Sequence, residues 1–365
     1  MVADKRQRIC VVGPLPPPSG GMANQCEQLV RLLSQEGVAV ELVRTNSPYA
    51  PQWVGAVPLL RAAFRLIPFV LALWSAAGRA QVLHVFANSG WSWHLYAAPA
   101  LLVGRLRGAA VIVNYRGGHA ESFLARAPAH VHRSLRRSSL RVTPSPFLQR
   151  VFARFGLQAE VIPNIIDLSR FKLVTPRDFG NSPHIVVARN LEPIYGIATA
   201  LKAFALVRRR FADARLSVAG SGPELLVLQA LAHELGIAQA VRFSGRIDNA
   251  AMPEFYADAD CALNPSTVDN MPISLLEAFA SGLPVVSTNA GGIPDMLQDG
   301  VNGLLVPIGD EVAMADALCR LLDDSALASA MVKAGLEQAK AYDWQRVKLM
   351  WLDAYQRAAA LSGAA

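Results

Sequence analysis

Short apolar runs rich in β-branched residues recur along the chain. They alternate with longer stretches in which apolar residues return every three or four positions. The runs 9–13, 38–43, 82–86, 110–115, 142–144 and 161–163 have the length and composition of buried strands, whereas 26–35 and 97–107 have helical spacing. After a polar, Pro-containing stretch at 173–183 the pattern restarts, with strands expected at 184–188, 215–219, 241–244, 262–265, 284–287 and 303–306. The last segment, 344–361, reads as one long helix. Strands and helices that alternate this way imply parallel sheets with helices on both faces. The chain is therefore expected to be α/β, with two Rossmann-like doubly wound domains, 1–172 and 173–345, and a terminal helix, 346–365, crossing back to the first. Ligands of such sheets bind outside the carboxyl ends of the strands. Two facing domains would put the site in the cleft between them.

Composition agrees with two cores: 365 residues, 52% hydrophobic and 17% charged. The charged start, 1–8, and the short apolar run after it do not have the form of a signal peptide. The charge-free apolar stretch 66–78 is shorter than a membrane-spanning helix and is interrupted by Pro68. Cys10, Cys26, Cys261 and Cys319 are scattered with no CxxC pair, which suits a reducing compartment and offers no metal site. The expected location is cytoplasmic, with peripheral attachment on the inner face of the cell membrane as its membrane-side form. The net charge of +7 conceals an asymmetry: residues 1–170 hold 19 Lys and Arg against 7 Asp and Glu (+12), and the remainder holds 16 against 21 (−5). The first half is suited to an acidic partner.

The densest chemistry lies in residues 268–286. Pro272 fits the first turn of a helix, where its missing N–H costs nothing. Backbone N–H groups around it, at Met271, Ile273 and Ser274, can hold an anion such as a diphosphate, helped by the helix dipole. Glu277, about one turn further in, can accept two hydroxyl hydrogen bonds from a ribose, and Asp269 can hold hydroxyls of a transferred sugar. The plain alternative is that Asp269 or Asn270 caps the helix and Glu277 lies on the surface.

The surroundings of this D-x7-E spacing resemble the retaining glycosyltransferases of family 4, which have two Rossmann-like domains. The resemblance rests on Asp269, Pro272, Leu276, Glu277, Ala278, Gly282, Pro284, Gly291, Gly292, Pro294, Gly300, Asn302, Gly303 and Pro307. Elsewhere it rests on Gly20, Gly21, Ser145, Pro163, Asn164, Asp167, Phe171, Arg189, Gly220, Gly222, Pro223, Gly245, Pro265 and Ser266. It implies that Glu277 binds the donor ribose, Asp269 the donor sugar and Arg189 the diphosphate, and that the main chain near Arg246 and Ile247 meets the base. Gly20 and Gly21 would let the backbone approach the donor, and Gly222 would line its pocket. Three positions depart from the family: Asp269 stands where Glu is usual, Tyr195 where Lys is usual, and Ile165 where Gly is usual. Tyr195 donates one hydrogen bond but brings no cation. Arg116 stands near the usual His, with His119 one short turn later, and both are candidates for the catalytic machinery.

Other signals carry less. Asp258 and Asp260 spell the DxD of metal-dependent glycosyltransferases, but in the context of a helix end leading into a buried strand, so no metal is expected there. Residues 13–21 are not GxGxxG and the next strand ends without an acidic ribose ligand, so no nicotinamide cofactor is expected. No cofactor is expected beyond the nucleotide sugar, which is a co-substrate. Phe64, Trp74, Trp91 and Trp93 are exposed-aromatic candidates, and 130–141 is a basic helix candidate carrying Arg133, Arg136, Arg137 and Arg141.

The resulting expectation is a retaining, metal-independent glycosyltransferase. It would move a sugar from a UDP- or GDP-sugar to a hydroxyl of a glycan, lipid-linked or cell-envelope acceptor, with either an anionic membrane surface or a soluble acceptor that is itself acidic as the partner of the basic half, and no nucleic acid. A nucleotide-sugar epimerase, and a nucleotide-sugar-binding protein with little catalysis, are the alternatives.

Overall fold

The computed structural model describes residues 8–17, 20–48, 58–171, 173 and 182–363, with the side chains of 58–63, 362 and 363 not described. Most of the expected 173–183 linker therefore lies outside the described residues. The chain forms two compact units, one made of Met1–Ile165 with Trp344–Ala365 and the other of Ile166–Asp343.

In the first unit the order is β1 (Arg8–Gly13), α1 (Gly21–Gln35), β2 (Ala39–Arg44), α2 (Pro58–Ala77), β3 (Val82–Ala87), α3 (Ala98–Leu106), β4 (Ala110–Tyr115), α4 (Ala120–Arg126), α5 (Ala129–Arg136), β5 (Leu140–Thr143), α6 (Pro146–Arg154) and β6 (Glu160–Val161). The strands form one sheet in the order β2-β1-β3-β4-β5-β6. Every pairing in it is parallel. Each residue of β3 and β4 is buried, as helices on both faces require. One face packs on α2 to α6, through residues such as Phe69, Leu73, Trp93, Val131, Leu135 and Phe152. The other packs on α1 and the C-terminal helix Trp344–Gly363, through Leu29, Leu33, Trp351 and Tyr355.

Three expectations are corrected in this unit. Pro68 does not interrupt its stretch: α2 runs through it. The lost hydrogen bond is offset by burial of Phe69, Leu73, Ala76 and Ala77 against the sheet. The basic helix candidate ends early, because α5 stops at Arg136 and Arg141 belongs to β5. Arg141 is also no solvated cation, since it donates to the carbonyls of Leu135, Ser138 and Gln158. Finally, Trp93 is not exposed. It is fully buried in the core, while Trp91 is 78% exposed.

The second unit contains β7 (His184–Ala188), α7 (Ile197–Val207), β8 (Arg215–Ala219), α8 (Leu225–Glu234), β9 (Val241–Gly245), α9 (Met252–Ala257), β10 (Cys261–Asn264), α10 (Ile273–Ala280), β11 (Val285–Thr288), β12 (Leu304–Val306), α11 (Glu311–Asp323) and α12 (Ser325–Ala339). Its sheet is ordered β12-β11-β10-β7-β8-β9. All of its pairings are parallel. The chain starts in the middle at β7, builds outward to β9, then returns to the other side of β7 as β10. The reversal between β7 and β10 is a topological switch point. In sheets of this kind ligands bind at such a point, outside the carboxyl ends of the strands.

Candidate functional site

Arg189 is the first residue after β7. Its Nε donates to Asn264 Oδ1, the last residue of β10, at 2.9 Å. Its Nη2 pairs with Asp269 Oδ2 at 2.7 Å. The guanidinium also lies over the Tyr195 ring, 5.3 Å from its centre and within the roughly 6 Å reach of a cation–π contact. Both partners of the ion pair are largely buried, with side-chain exposures of 12% and 13%. Two loops that leave opposite sides of the switch point are thus tied by one guanidinium. Burial raises the Tyr195 pKa, so its phenol stays a hydrogen-bond donor at neutral pH.

Glycines hold these loops. Gly291 has φ +52°, a conformation costly for other residues, and a Cβ there would come within 2.1 Å of the Asp269 carbonyl. Its neighbour Gly292 donates its N–H to that carbonyl at 2.9 Å. Gly222 packs so closely on the Leu191 main chain that a Cβ would lie 2.2 Å from its carbonyl oxygen. Its glycine therefore has a packing reason of its own. Gly20 differs. Its backbone is extended, it precedes α1 at the cap position, and a Cβ would meet nothing within 4 Å. The fold of this chain does not require glycine there.

Pro272 occupies the cap position before α10 rather than its first turn, and the helix opens at Ile273. The N–H of Met271 is engaged by Asp269 Oδ1 at 3.2 Å. Ile273 and Ser274 stand in the first turn, where helix geometry supplies no intrahelical acceptor for the N–H. The Ser274 hydroxyl is buried without a hydrogen-bond partner. Glu277 is not a surface residue: it is 7% exposed. Its Oε2 accepts from the Tyr256 hydroxyl at 3.1 Å. Burial raises its pKa to about 7, against the opposing pull of Tyr256, Arg170 and Arg189. It is a carboxyl poised to gain from any donor that reaches it. Ile247 lies half-buried in the loop after β9, beside the exposed Arg246–Asp248 pair at 3.5 Å. The DxD carboxylates are turned to the other end of the sheet. Asp260 Oδ2 accepts from the His184 N–H at 2.8 Å, and Asp258 Oδ2 lies 3.4 Å from His184 Nδ1, at the start of β7.

The first unit carries a polar chain that the sequence did not reveal. Arg116, just after β4, donates through Nε to Asn114 Oδ1 at 3.2 Å and through Nη1 to Asn164 Oδ1. The guanidinium lies 5.0 Å from the Phe86 ring centre. Burial lowers its pKa to about 10, which leaves it charged at neutral pH. Because Asn114 Oδ1 faces the arginine, its amide N–H faces His84 Nε2 at 2.9 Å. Nε2 must then accept, so the ring proton sits on Nδ1 and is donated to Tyr355 Oη at 2.7 Å. Full burial holds the His84 pKa well below its ordinary value, and the ring is neutral. His119 takes no part in this chain; it is exposed at the cap of α4.

Charged groups are thus gathered at the switch point of the second unit's sheet, where ligands of such sheets bind. Residues 19–170 match the family profile described as Glycosyltransferase Family 4 and residues 174–338 the one described as Glycosyl transferases group 1. The chain belongs to the family 4 type of glycosyltransferase and is an enzyme of that kind. The GDP-mannose-dependent alpha-(1-6)-phosphatidylinositol monomannoside mannosyltransferase of Mycobacterium tuberculosis (strain ATCC 25618 / H37Rv) is 30% identical over 361 residues, covering 90% of this chain and 92% of the relative. Sucrose-phosphate synthase of Thermosynechococcus elongatus shares the fold with a TM-score of 0.77 at 21% identity, covering 99% of this chain and 100% of that one. Anabaena HepE in complex with UDP and glucose does so with a TM-score of 0.73 at 18% identity, covering 96% and 99%. The epimerase alternative finds no support in these relatives.

Proposed function

We propose that the protein transfers a sugar, with retention, from a nucleoside-diphosphate sugar to a hydroxyl of a lipid-linked or cell-envelope acceptor, without a metal. The observation that carries this reading is the convergence of Arg189, Asp269 and the buried Glu277 on the β7/β10 switch point. Glu277 accepts the ribose hydroxyls. Arg189 and the N–H groups of Ile273 and Ser274 stabilise the charge that develops on the leaving diphosphate, with the Tyr195 hydroxyl as a further donor. Asp269 orients both the donor sugar and Arg189. Gly222 and Ile247 belong to the walls of the donor site, and in the first unit the backbone at Gly20, followed by Gly21, is open to a ligand. In the first unit, Arg116 rather than the exposed His119 is the cation to which we assign a role toward substrate. In the reaction the bond from the anomeric carbon to the phosphate oxygen breaks. The acceptor oxygen bonds to the same face, and its proton passes to the leaving phosphate.

The acceptor class rests on the mannosyltransferase relative, whose name gives GDP-mannose and a phosphatidylinositol mannoside. It rests also on the surface of the first unit. Among the described residues no helix is long and apolar enough to cross a membrane. Yet α2 exposes Phe64, Ile67, Leu71 and Trp74, and α3 exposes Leu102 and Leu106. An anionic membrane is the partner that matches this face and the unit's positive charge. The test is product analysis with radiolabelled GDP-mannose and UDP-glucose, a lipid extract as acceptor, and EDTA in one arm. Labelled glycolipid formed equally with and without EDTA is expected. Epimerised donor, unreacted donor, or turnover that needs added magnesium or manganese would overturn the reading.

A further inference from the structure

A hollow of about 480 Å³ opens beside α5, lined by Ala129, His132, Arg133, Arg136, Arg137 and Phe155. Its origin is in the helix pattern. Val131 and Leu135 turn into the core. Arg133, which lies between them, and Arg136 and Arg137, which follow at the end of the helix, are all exposed on the outer side. The dipole of α5 favours cations at its last turn, but it amounts to roughly half a charge, against three guanidinium groups. Neighbouring arginines are satisfied: Arg154 pairs with Glu121 at 2.8 Å, and Arg141 is tied to backbone carbonyls. Among the described residues, Arg133, Arg136 and Arg137 form no ion pair with a carboxylate.

The other walls complete the chemistry. His132 Nε2 donates to the Leu124 carbonyl at 3.0 Å, which holds the ring in place as one wall of the hollow. Phe155, 6.0 Å from the His132 ring, supplies an apolar wall. The volume is that of a small-molecule pocket and exceeds what a bare phosphate fills. Guanidinium groups match phosphate oxygens in bidentate fashion. We infer that this hollow is a binding site for a phosphate ester, whose anion is held by Arg133, Arg136 and Arg137 and whose carbon portion lies against Phe155. A phospholipid headgroup and a soluble phosphate ester share this chemistry. The position of α5 next to α3, which carries exposed Leu102 and Leu106, makes the headgroup accessible to the same surface. The inference does not depend on the donor site, which lies in the second unit.

The experiment uses the full chain without nucleotide sugar. Glycerol 3-phosphate is titrated by calorimetry, and phosphatidylcholine vesicles with and without phosphatidylglycerol are co-sedimented at low and high salt. The variants are the triple change Arg133→Ser, Arg136→Ser, Arg137→Ser and, as a control, Arg209→Ser on the exposed surface of the second unit. The wild type and the control are expected to bind at least one probe, more weakly in high salt. The triple variant should lose on the order of a hundredfold with an unchanged thermal midpoint. Binding of glycerol phosphate identifies the soluble source, and binding of phosphatidylglycerol vesicles alone identifies the headgroup; either supports the site. Absence of both at low salt, or equal binding by the triple variant through α2 and α3 alone, overturns it. Glycosyl transfer to a soluble acceptor by the triple variant tells this failure from a failure of the donor site.

Discussion

The two units are built on the same plan and use charge in opposite ways. Each has six parallel strands whose order reverses once, between β1 and β3 in the first and between β7 and β10 in the second. The first unit carries 21 Lys and Arg against 7 Asp and Glu, the second 14 against 21. In the second, a buried ion pair and a buried carboxyl meet at the reversal. In the first, the interior polar groups form a chain that is neutral apart from Arg116, and the surplus cations lie outside, on α5 and its neighbours. Topology therefore fixes where a crevice forms, while the residue types placed there decide whether it can handle a charged donor. On the proposed reading a diphosphate would meet a unit with an acidic surplus, and Arg189 would be the cation at its switch point that offsets it.

The largest expected effect breaks that pair. Arg189→Ala leaves the Asp269 carboxylate buried without its cation, and the cost should be on the order of 3–5 kcal/mol of stability. The double change Arg189→Met, Asp269→Leu should recover most of it in thermal or denaturant unfolding while abolishing transfer. A single variant as stable as the wild type would show that the pair does not hold the two loops.

Next comes Glu277→Gln, which separates stability from binding. The folded pKa of about 7 lies above the ordinary 4.5. The native state therefore keeps a proton that the unfolded chain releases between those values. Stability from this group is fully present below about pH 4.5 and is lost as pH rises through 7, by roughly 3 kcal/mol in all. Glutamine removes that slope. The variant should match the wild type at pH 5 and exceed it at pH 8 in unfolding midpoint. Donor affinity moves the other way. A carboxylate that accepts ribose hydroxyls binds best when ionised, so wild-type affinity should rise from pH 6 to pH 8. The variant should lose on the order of 2–3 kcal/mol of binding and show no such rise by calorimetry. Equal donor affinity in both proteins would remove Glu277 from the site.

A smaller effect is expected in the first unit. Asn114→Leu deprives both His84 Nε2 and Arg116 Nε of their partner, and leaving such buried groups unsatisfied costs about 1–3 kcal/mol. The same variant frees the His84 tautomer, so nitrogen NMR of the ring should show the Nδ1-protonated form in the wild type and a mixture in the variant. An unchanged ring spectrum would sink the derived proton order.

What the sequence made legible follows from locality. All twelve expected strands are present; the central ones, such as β3 and β4, are buried on both faces and so are nearly continuous apolar runs. Glu277 and Asp269 stood out by a spacing within one short segment. The pairing of Arg189 with Asp269 did not, since it depends on β10 returning beside β7 rather than following β9. The His84–Tyr355 contact joins residues 271 apart in sequence, so no local pattern marks it. Helix α2 was obscured because its outer face is as apolar as its inner one, which erases helical periodicity. Trp93 was misjudged for the related reason that an aromatic residue looks the same from either side. Tyr256, which holds Glu277, lay in a segment correctly read as a helix end, but nothing in it distinguished a core tyrosine from a partner to a carboxyl.

The smallest expected effect concerns how the C-terminal helix is held to the first unit. Arg357 makes paired 2.6 Å contacts with both oxygens of Glu160 on β6 and a further contact of 2.7 Å with Asp353. The geometry is bidentate, and the neighbouring carboxylates raise the arginine's pKa further. All three side chains are nonetheless 40% to 51% exposed. Solvent screening and the entropy of holding long side chains offset most of the attraction, so Arg357→Ala should cost no more than about 1 kcal/mol, and less in high salt. The helix is fixed instead by Trp351 and Tyr355. Both are buried against β3 and β4, with rings 5.7 Å apart, and His84 packs on Trp351 at 4.4 Å. Trp351→Ala is accordingly expected to cost on the order of 3–5 kcal/mol. Denaturant midpoints of the two variants at low and high salt give the comparison directly. If Arg357→Ala proves the more damaging, the first unit relies on its surface charges for folding as well as for its partners.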